Sequence, residues 1–192
     1  MKKTYLSLIL LSSVLLFWCS LNPKNVINLE SWTTVDKFED INEDTLIYES
    51  KSENFIFNFK KERTFEENKF WFNTIVFTPK DDEINENVWI AVQKLQKFLS
   101  VEEYYEETIK ELKSTIIWFK ETKTENISKQ WLNGKKIIYD HQADDRNLKS
   151  QQTFLISKDN VVYSIVYTST KENFNKFLKW ADIIVDSFKL KE

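Results

Sequence analysis

The chain has 192 residues, with 27 Lys and Arg against 30 Asp and Glu, one histidine and one cysteine. That length supports one domain of ordinary size with a real core. The acidic balance argues against a nucleic-acid partner, because neutralising phosphates needs a concentrated basic surface, and a lone cysteine excludes an internal disulfide, so stability must come from packing.

Lys2 and Lys3 form a positive start, and Tyr5 to Phe17 is a short apolar run broken only by Ser7, Ser12 and Ser13. This is the layout of a secretory signal, too short for a permanent spanning helix, which needs about 20 apolar residues. Leu16-Phe17-Trp18-Cys19 resembles the lipobox of bacterial lipoproteins, in which the cysteine sulfur is acylated and the bond before it is cut. The resemblance implies a signal peptide over 1–18, cleavage between Trp18 and Cys19, and a lipid on Cys19. It also implies a membrane-anchored protein of the bacterial cell envelope, outside the cytoplasm. Without Lys2 and Lys3 the mature chain carries 25 basic and 30 acidic side chains, a formal charge of −5.

The residue before a lipobox cysteine should be small, and Trp18 is not. Composition offers an explanation. At an average usage of about 7% a chain of this length should hold roughly a dozen Gly, yet it holds one Gly beside seven Trp. One reading is that the gene comes from a lineage in which UGA encodes glycine and has been translated with UGA as tryptophan. Trp18 would then be Gly, as would Trp131 in a predicted turn, "KQWLNGKK", and Trp32 in the polar "ESWTT". Trp89 and Trp118 sit in or beside apolar segments, where the ordinary code would make them core.

Residues 19–46 carry Pro23, several Asn and an acidic patch without a sustained period, and are expected to form a flexible tether with little order. From 47 to 192 the pattern becomes that of a domain. "NFIFNF" alternates, placing Phe55, Phe57 and Phe59 on one face of a strand. "NTIVFT" and "VWIAVQKL" follow as strands, separated by a loop holding Pro79, Asp81 and Asp82. Ser100 and Glu103 have capping-box spacing and open a helix whose stripe is Val101, Tyr105, Ile109, Leu112 and Ile116. Further strands are predicted at "FKETKTENI", "KKIIYDHQ", "QQTFLIS" and "VVYSIVYT", the last two joined by a tight turn at "KDN". Ser169 and Glu172 repeat the capping spacing before a second helix carrying Phe174, Phe177, Leu178, Ala181, Val185 and Phe188 on one face. The class is α+β: an antiparallel sheet of about six or seven strands sandwiched by helices.

The run from "YESKSENFIFNF" through "NVWIAVQKL", "SVEEYYEETIKEL", "LNGKKIIYD", "QQTFLISKDNVVYSIVYTST" and "FNKFLKWADIIVDSF" resembles the PsbP-like family over residues 47–190. The matches that carry most are the Asn133-Gly134 turn before a strand, the "VVYSIVYT" strand and the closing Ile183-Ile184-x-x-Ser187-Phe188. "KKER", Lys60 to Arg63, stands where the family usually has Pro-x-x-Trp. The family includes the extrinsic PsbP protein of photosystem II and many bacterial lipoproteins of unassigned role. It implies an antiparallel sheet between helices and a binding or scaffolding role, with an envelope protein as partner.

Residues able to carry chemistry are few. His141 lies in "YDHQADDR" with Asp140, Asp144 and Asp145, and a metal- or small-ligand-binding role for this acidic hairpin is the alternative function. One imidazole falls short of the three or four converging ligands that zinc prefers, and a solvated turn is the simpler expectation. Asp81, Asp82 and Glu83 lack the spacing of a calcium loop. No nucleophile elbow or phosphate-cradling glycine loop occurs. Tyr104, Tyr105, Tyr163 and Tyr167 fit element periods and are assigned to core or half-core, and Lys60-Lys61 and Lys135-Lys136 to solvated strand ends. The sequence thus predicts no enzyme, no cofactor and no metal. It predicts instead a lipid-anchored, non-enzymatic binding or scaffold module with a patch of exposed apolar residues.

Overall fold

The computed structural model describes residues 38–42, 44–50, 53–61, 63–67, 74–77, 86–143 and 145–191. The first six strands are β1 Phe38–Asn42, β2 Thr45–Glu49, β3 Phe55–Lys60, β4 Thr64–Glu67, β5 Thr74–Phe77 and β6 Asn87–Lys94, and burial alternates strictly along β2 and β3. Helix α1, Val101–Thr115, follows, then β7 Ile117–Lys129, β8 Leu132–Ala143, β9 Arg146–Ile156 and β10 Val161–Thr170. Helix α2, Phe174–Ser187, and the short β11, Lys189–Leu190, complete the order.

The strands form two antiparallel sheets, one of seven strands in the order β4-β5-β6-β10-β9-β8-β7 and one of four in the order β1-β2-β3-β11. Because side chains alternate across a strand, the large sheet has two faces with separate apolar sets. Ile137, Tyr139, Phe154, Ile156 and Val162 point to the first, where Tyr104, Ile109, Leu112 and Ile116 of the α1 segment cover them. Leu155, Tyr163, Ile165 and Tyr167 point to the second, where they meet α2 and the small sheet. Phe55, Phe57 and Phe59 are all fully buried there, as the period-2 reading requires. Phe55 packs on Phe188 at 5.3 Å and edge-on to Tyr163 at 6.2 Å, joining the two sheets. Each such ring contributes about 1.5–3 kcal/mol by leaving water. The result is the expected α+β sandwich, with seven strands between the helices.

Several details differ from the sequence-based expectations. The second sheet was not anticipated, and β1 and the start of β2 fall within 19–46, the stretch read as tether. β2 pairs with β3 along its length, with Tyr48 opposite Phe57, so the backbone bonds of 45–49 are satisfied inside a sheet. The capping box at Ser100 is present with both of its reciprocal bonds, but the buried face of α1 is Tyr104, Thr108, Ile109 and Leu112, rotated from the predicted stripe, and Val101 and Tyr105 are half-buried. Ser169 caps nothing. It lies inside β10 and is fully buried, and α2 starts after Asn173, whose backbone N–H donates to the Thr170 hydroxyl at 3.3 Å.

Asn133-Gly134 is not a turn either. Both residues lie within β8, and the turn is Gln130-Trp131, closed by the Lys129–Leu132 pair. Gly134 is glycine for a different reason: a Cβ there would sit 1.7 Å from the carbonyl oxygen of Phe154 on β9. The "KDN" turn does form, with Asn160 N–H donating to the Ser157 carbonyl at 3.1 Å and Asn160 in the left-handed region.

Candidate functional site

Cys19, Trp18, Asp81, Asp82, Glu83 and Asp144 lie outside the described residues. The part of the acidic hairpin that is described does not converge. Asp140 and His141 are neighbours on β8, so the strand sends them to opposite faces. Asp140 points to the α2 side and bonds Lys171 at 2.8 Å. Asp145 sits in the β8–β9 turn with φ 61. His141 points to the first face and is only 4% exposed, so it is a buried group and not part of a solvated turn. Among the described residues no group of three His, Cys, Asp or Glu side chains could hold a metal ion.

What the strands do assemble around His141 is a polar chain across three of them. Its Nε2 lies 2.9 Å from Ser150 Oγ on β9, and Ser150 Oγ lies 2.9 Å from Thr168 Oγ1 on β10. The register explains this: Ser150 faces Thr168 directly and lies diagonal to His141, whose own partner is Leu148. The ring packs against Tyr139 at 5.5 Å, and His141 Nδ1 finds no hydrogen-bond partner. Burial drives the imidazole pKa down to about 4, against a smaller opposing pull from Asp140. The ring is therefore neutral at pH 7.

Chemically this is a poor catalytic unit. A Ser-His-Asp relay needs a carboxylate on the ring nitrogen remote from the serine and access to a substrate. Here Asp140 faces away, and both Ser150 and His141 are buried. Sequence reasoning missed Ser150 and Thr168 because isolated hydroxyls on alternating strands carry no motif; only the register reveals their convergence.

The tyrosines are placed as expected. Tyr104, Tyr163 and Tyr167 are buried, Tyr105 is half-buried, and Tyr167 donates to the Phe174 carbonyl at 3.0 Å. Burial pushes the Tyr104 hydroxyl up to about 12 and those of Tyr139 and Tyr167 higher still. The lysines of β8 are not solvated ends. Lys135 is 7% exposed and paired with Glu102 at 2.9 Å, its ammonium over the Tyr105 ring at 5.1 Å, and Lys136 reaches Asp182 at 3.2 Å. At "KKER", Arg63 is buried with its guanidinium 5.3 Å from the Trp180 ring.

The exposed large apolar residues among those described are Phe98, Ile117, Trp118 and Trp131, at 69%, 50%, 80% and 72%. They make no single patch. Trp118 and Trp131 occupy opposite ends of the β7–β8 hairpin, about 35 Å apart at 3.3 Å per residue. No helix among the described residues is long and apolar enough to cross a membrane.

No family model matches the sequence, and no curated protein does. Solved structures do match. The cyanobacterial PsbP protein CyanoP from Synechocystis superposes with a TM-score of 0.55 at 9% identity, covering 88% of this chain and 99% of that one. The fold is PsbP-like. LpqN of Mycobacterium tuberculosis, involved in cell envelope biogenesis, gives 0.61 at 9% identity over 79% of this chain and 87% of its own. PA94, a protein of unknown function from Pseudomonas aeruginosa, gives 0.52 at 14% over 71% and 90%. At such identities the shared property of the PsbP-like domain is its fold.

Proposed function

We propose that this chain is a lipid-anchored, extracytoplasmic module without enzymatic activity, which binds or scaffolds a protein partner of the cell envelope and is held to the membrane through an acylated Cys19. The observation that carries the reading is the PsbP-like fold, shared over most of both chains with LpqN, an envelope-biogenesis protein. The leader supports it: a positive start, a short apolar run and a cysteine at position 19. The non-enzymatic part is supported by the sole histidine, which is buried, neutral and bonded to Ser150 rather than poised over a cleft.

Acyl chains on one cysteine suffice for stable anchoring without a spanning helix. Fractionation of the native host tests this. Wild type should partition with membranes and incorporate labelled lipid, and Cys19→Ser should lose both. Retention of Cys19→Ser in the membrane with unchanged processing would overturn the anchor. Crosslinking the anchored protein in its own membrane then identifies the partner. Among the described residues nothing in the geometry favours the acidic hairpin as a metal or small-ligand site. Zinc, manganese and calcium are accordingly expected to leave the melting temperature unchanged, whereas a bound ion at a hundred times its dissociation constant would add about 2.7 kcal/mol.

A further inference from the structure

We infer that positions 118 and 131, and with them 18, are glycine in the protein as its cell makes it, so that the residue preceding Cys19 is the small one an acylation site requires. The evidence at 118 and 131 is independent of the anchor; only position 18 rests on that reading.

Position 118 is the strongest case. On β7, Ile117 pairs with Gln142 and Lys120 with Asp140, so residues 118 and 119 together oppose His141. Two residues against one is a β-bulge, and the variety whose first residue is left-handed takes glycine at that place. The backbone at 118 has φ 58. For a bulky side chain this is an outlier, since the Cβ crowds the following carbonyl. The indole gains nothing in return, being 80% exposed. Of the other three described residues with positive φ, Asp145 and Asn160 are types that tolerate it, and Gln130 is the third.

Position 131 is argued from exposure in a turn and not from its backbone. Lys129 pairs with Leu132, leaving Gln130-Trp131 as a two-residue hairpin loop with φ 49 at Gln130. The left-handed residue of this loop is Gln130 and not 131, so at 131 the case rests on the indole itself, which stands 72% exposed at a turn with Lys158 over its face at 5.6 Å. By contrast the rings of Trp89 and Trp180 are buried, and Trp180 lies under Arg63, so the exposure argument does not extend to them. The same substitution at 18 turns Leu16-Phe17-Trp18-Cys19 into a site with a small residue at the scissile bond. A code in which UGA means glycine accounts for all three positions and for one Gly beside seven Trp.

The test is to read the codons at 18, 118 and 131 and to sequence, by mass spectrometry, the peptides covering 118 and 131 from protein isolated from its native cells. UGA codons with glycine in both peptides are expected; a UGG codon or a tryptophan residue at 118 would overturn the inference. In the full chain made with the ordinary code, Trp118→Gly should raise the melting temperature by roughly 3–6 °C, the relief of one left-handed bulky residue, and a fall would count against it. Acylation is read separately on the Cys19 peptide. Glycine at 118 and 131 with an unmodified Cys19 would sink the anchor and leave the recoding standing, and the reverse pattern would do the opposite.

Discussion

His141 shows how one buried group couples stability to pH. Its unfolded pKa is 6.5 and its folded value about 4, so the unfolded chain binds the proton more readily. The stabilisation is therefore complete above pH 6.5 and is lost as pH falls toward 4. Two and a half units correspond to about 3 kcal/mol in all, of which about 2 kcal/mol disappears between pH 7 and 5. Glu103 is held below its ordinary 4.5 by its bonds to Ser100, so its own effect begins only as pH drops under that value. Denaturant unfolding at pH 7 and pH 5 should show the loss in wild type and a much flatter response in His141→Gln; equal slopes would place the ring in water. Gly134 offers a steric counterpart. With a Cβ falling 1.7 Å from a backbone oxygen, β8 and β9 must separate, and Gly134→Ala is expected to cost about 3 kcal/mol in a urea melt.

The two helices show why one capping signal was legible and the other misleading. At α1 the Ser100 hydroxyl accepts the Glu103 N–H at 3.2 Å and the Glu103 carboxylate accepts the Ser100 N–H at 2.8 Å. Ser100→Ala should cost about 1 kcal/mol of global stability by denaturant titration. Ser169 has the same spacing to Glu172, but Tyr163, Ile165 and Tyr167 hold β10 in the core and the ladder to β9 runs on through Thr170, so the hydroxyl is spent inside the sheet. Tertiary pairing overrode a local motif. The strands built on alternating rings or aliphatics, β3 and β8 to β10, could be read from sequence. β1 and β2 could not, because β2 buries only Leu46 and Tyr48 along its inward side, and such a short stretch becomes a strand only when β3 is there to pair with it. The polar chain was hidden for a related reason. In a sheet solvated on one face, Ser150 and Thr168 would be outward residues, and it takes covering on both faces to turn them inward-facing partners of His141.

At the scale of the molecule, the large sheet is a wall between two cores. Phe57 lies in the core shared by the small sheet and α2, and Ile109 in the core under α1. They share no partner, yet every strand from β6 to β8 contributes residues to one face while its alternate residues or bonded neighbours serve the other. Loss of either core therefore strips the same hydrogen-bonded ladder, and the two should melt together. Two conservative truncations test this. Ile109→Val is expected to cost about 0.5–1.5 kcal/mol and Phe57→Leu about 1 kcal/mol. Being distant, they should add in the double variant to within about 0.5 kcal/mol, with fluorescence and circular dichroism tracing one coincident transition. Two separated transitions would mean that the α1 side and the small-sheet side fold as independent units. An interaction term well above 0.5 kcal/mol would mean instead that the wall itself shifts when one core is thinned.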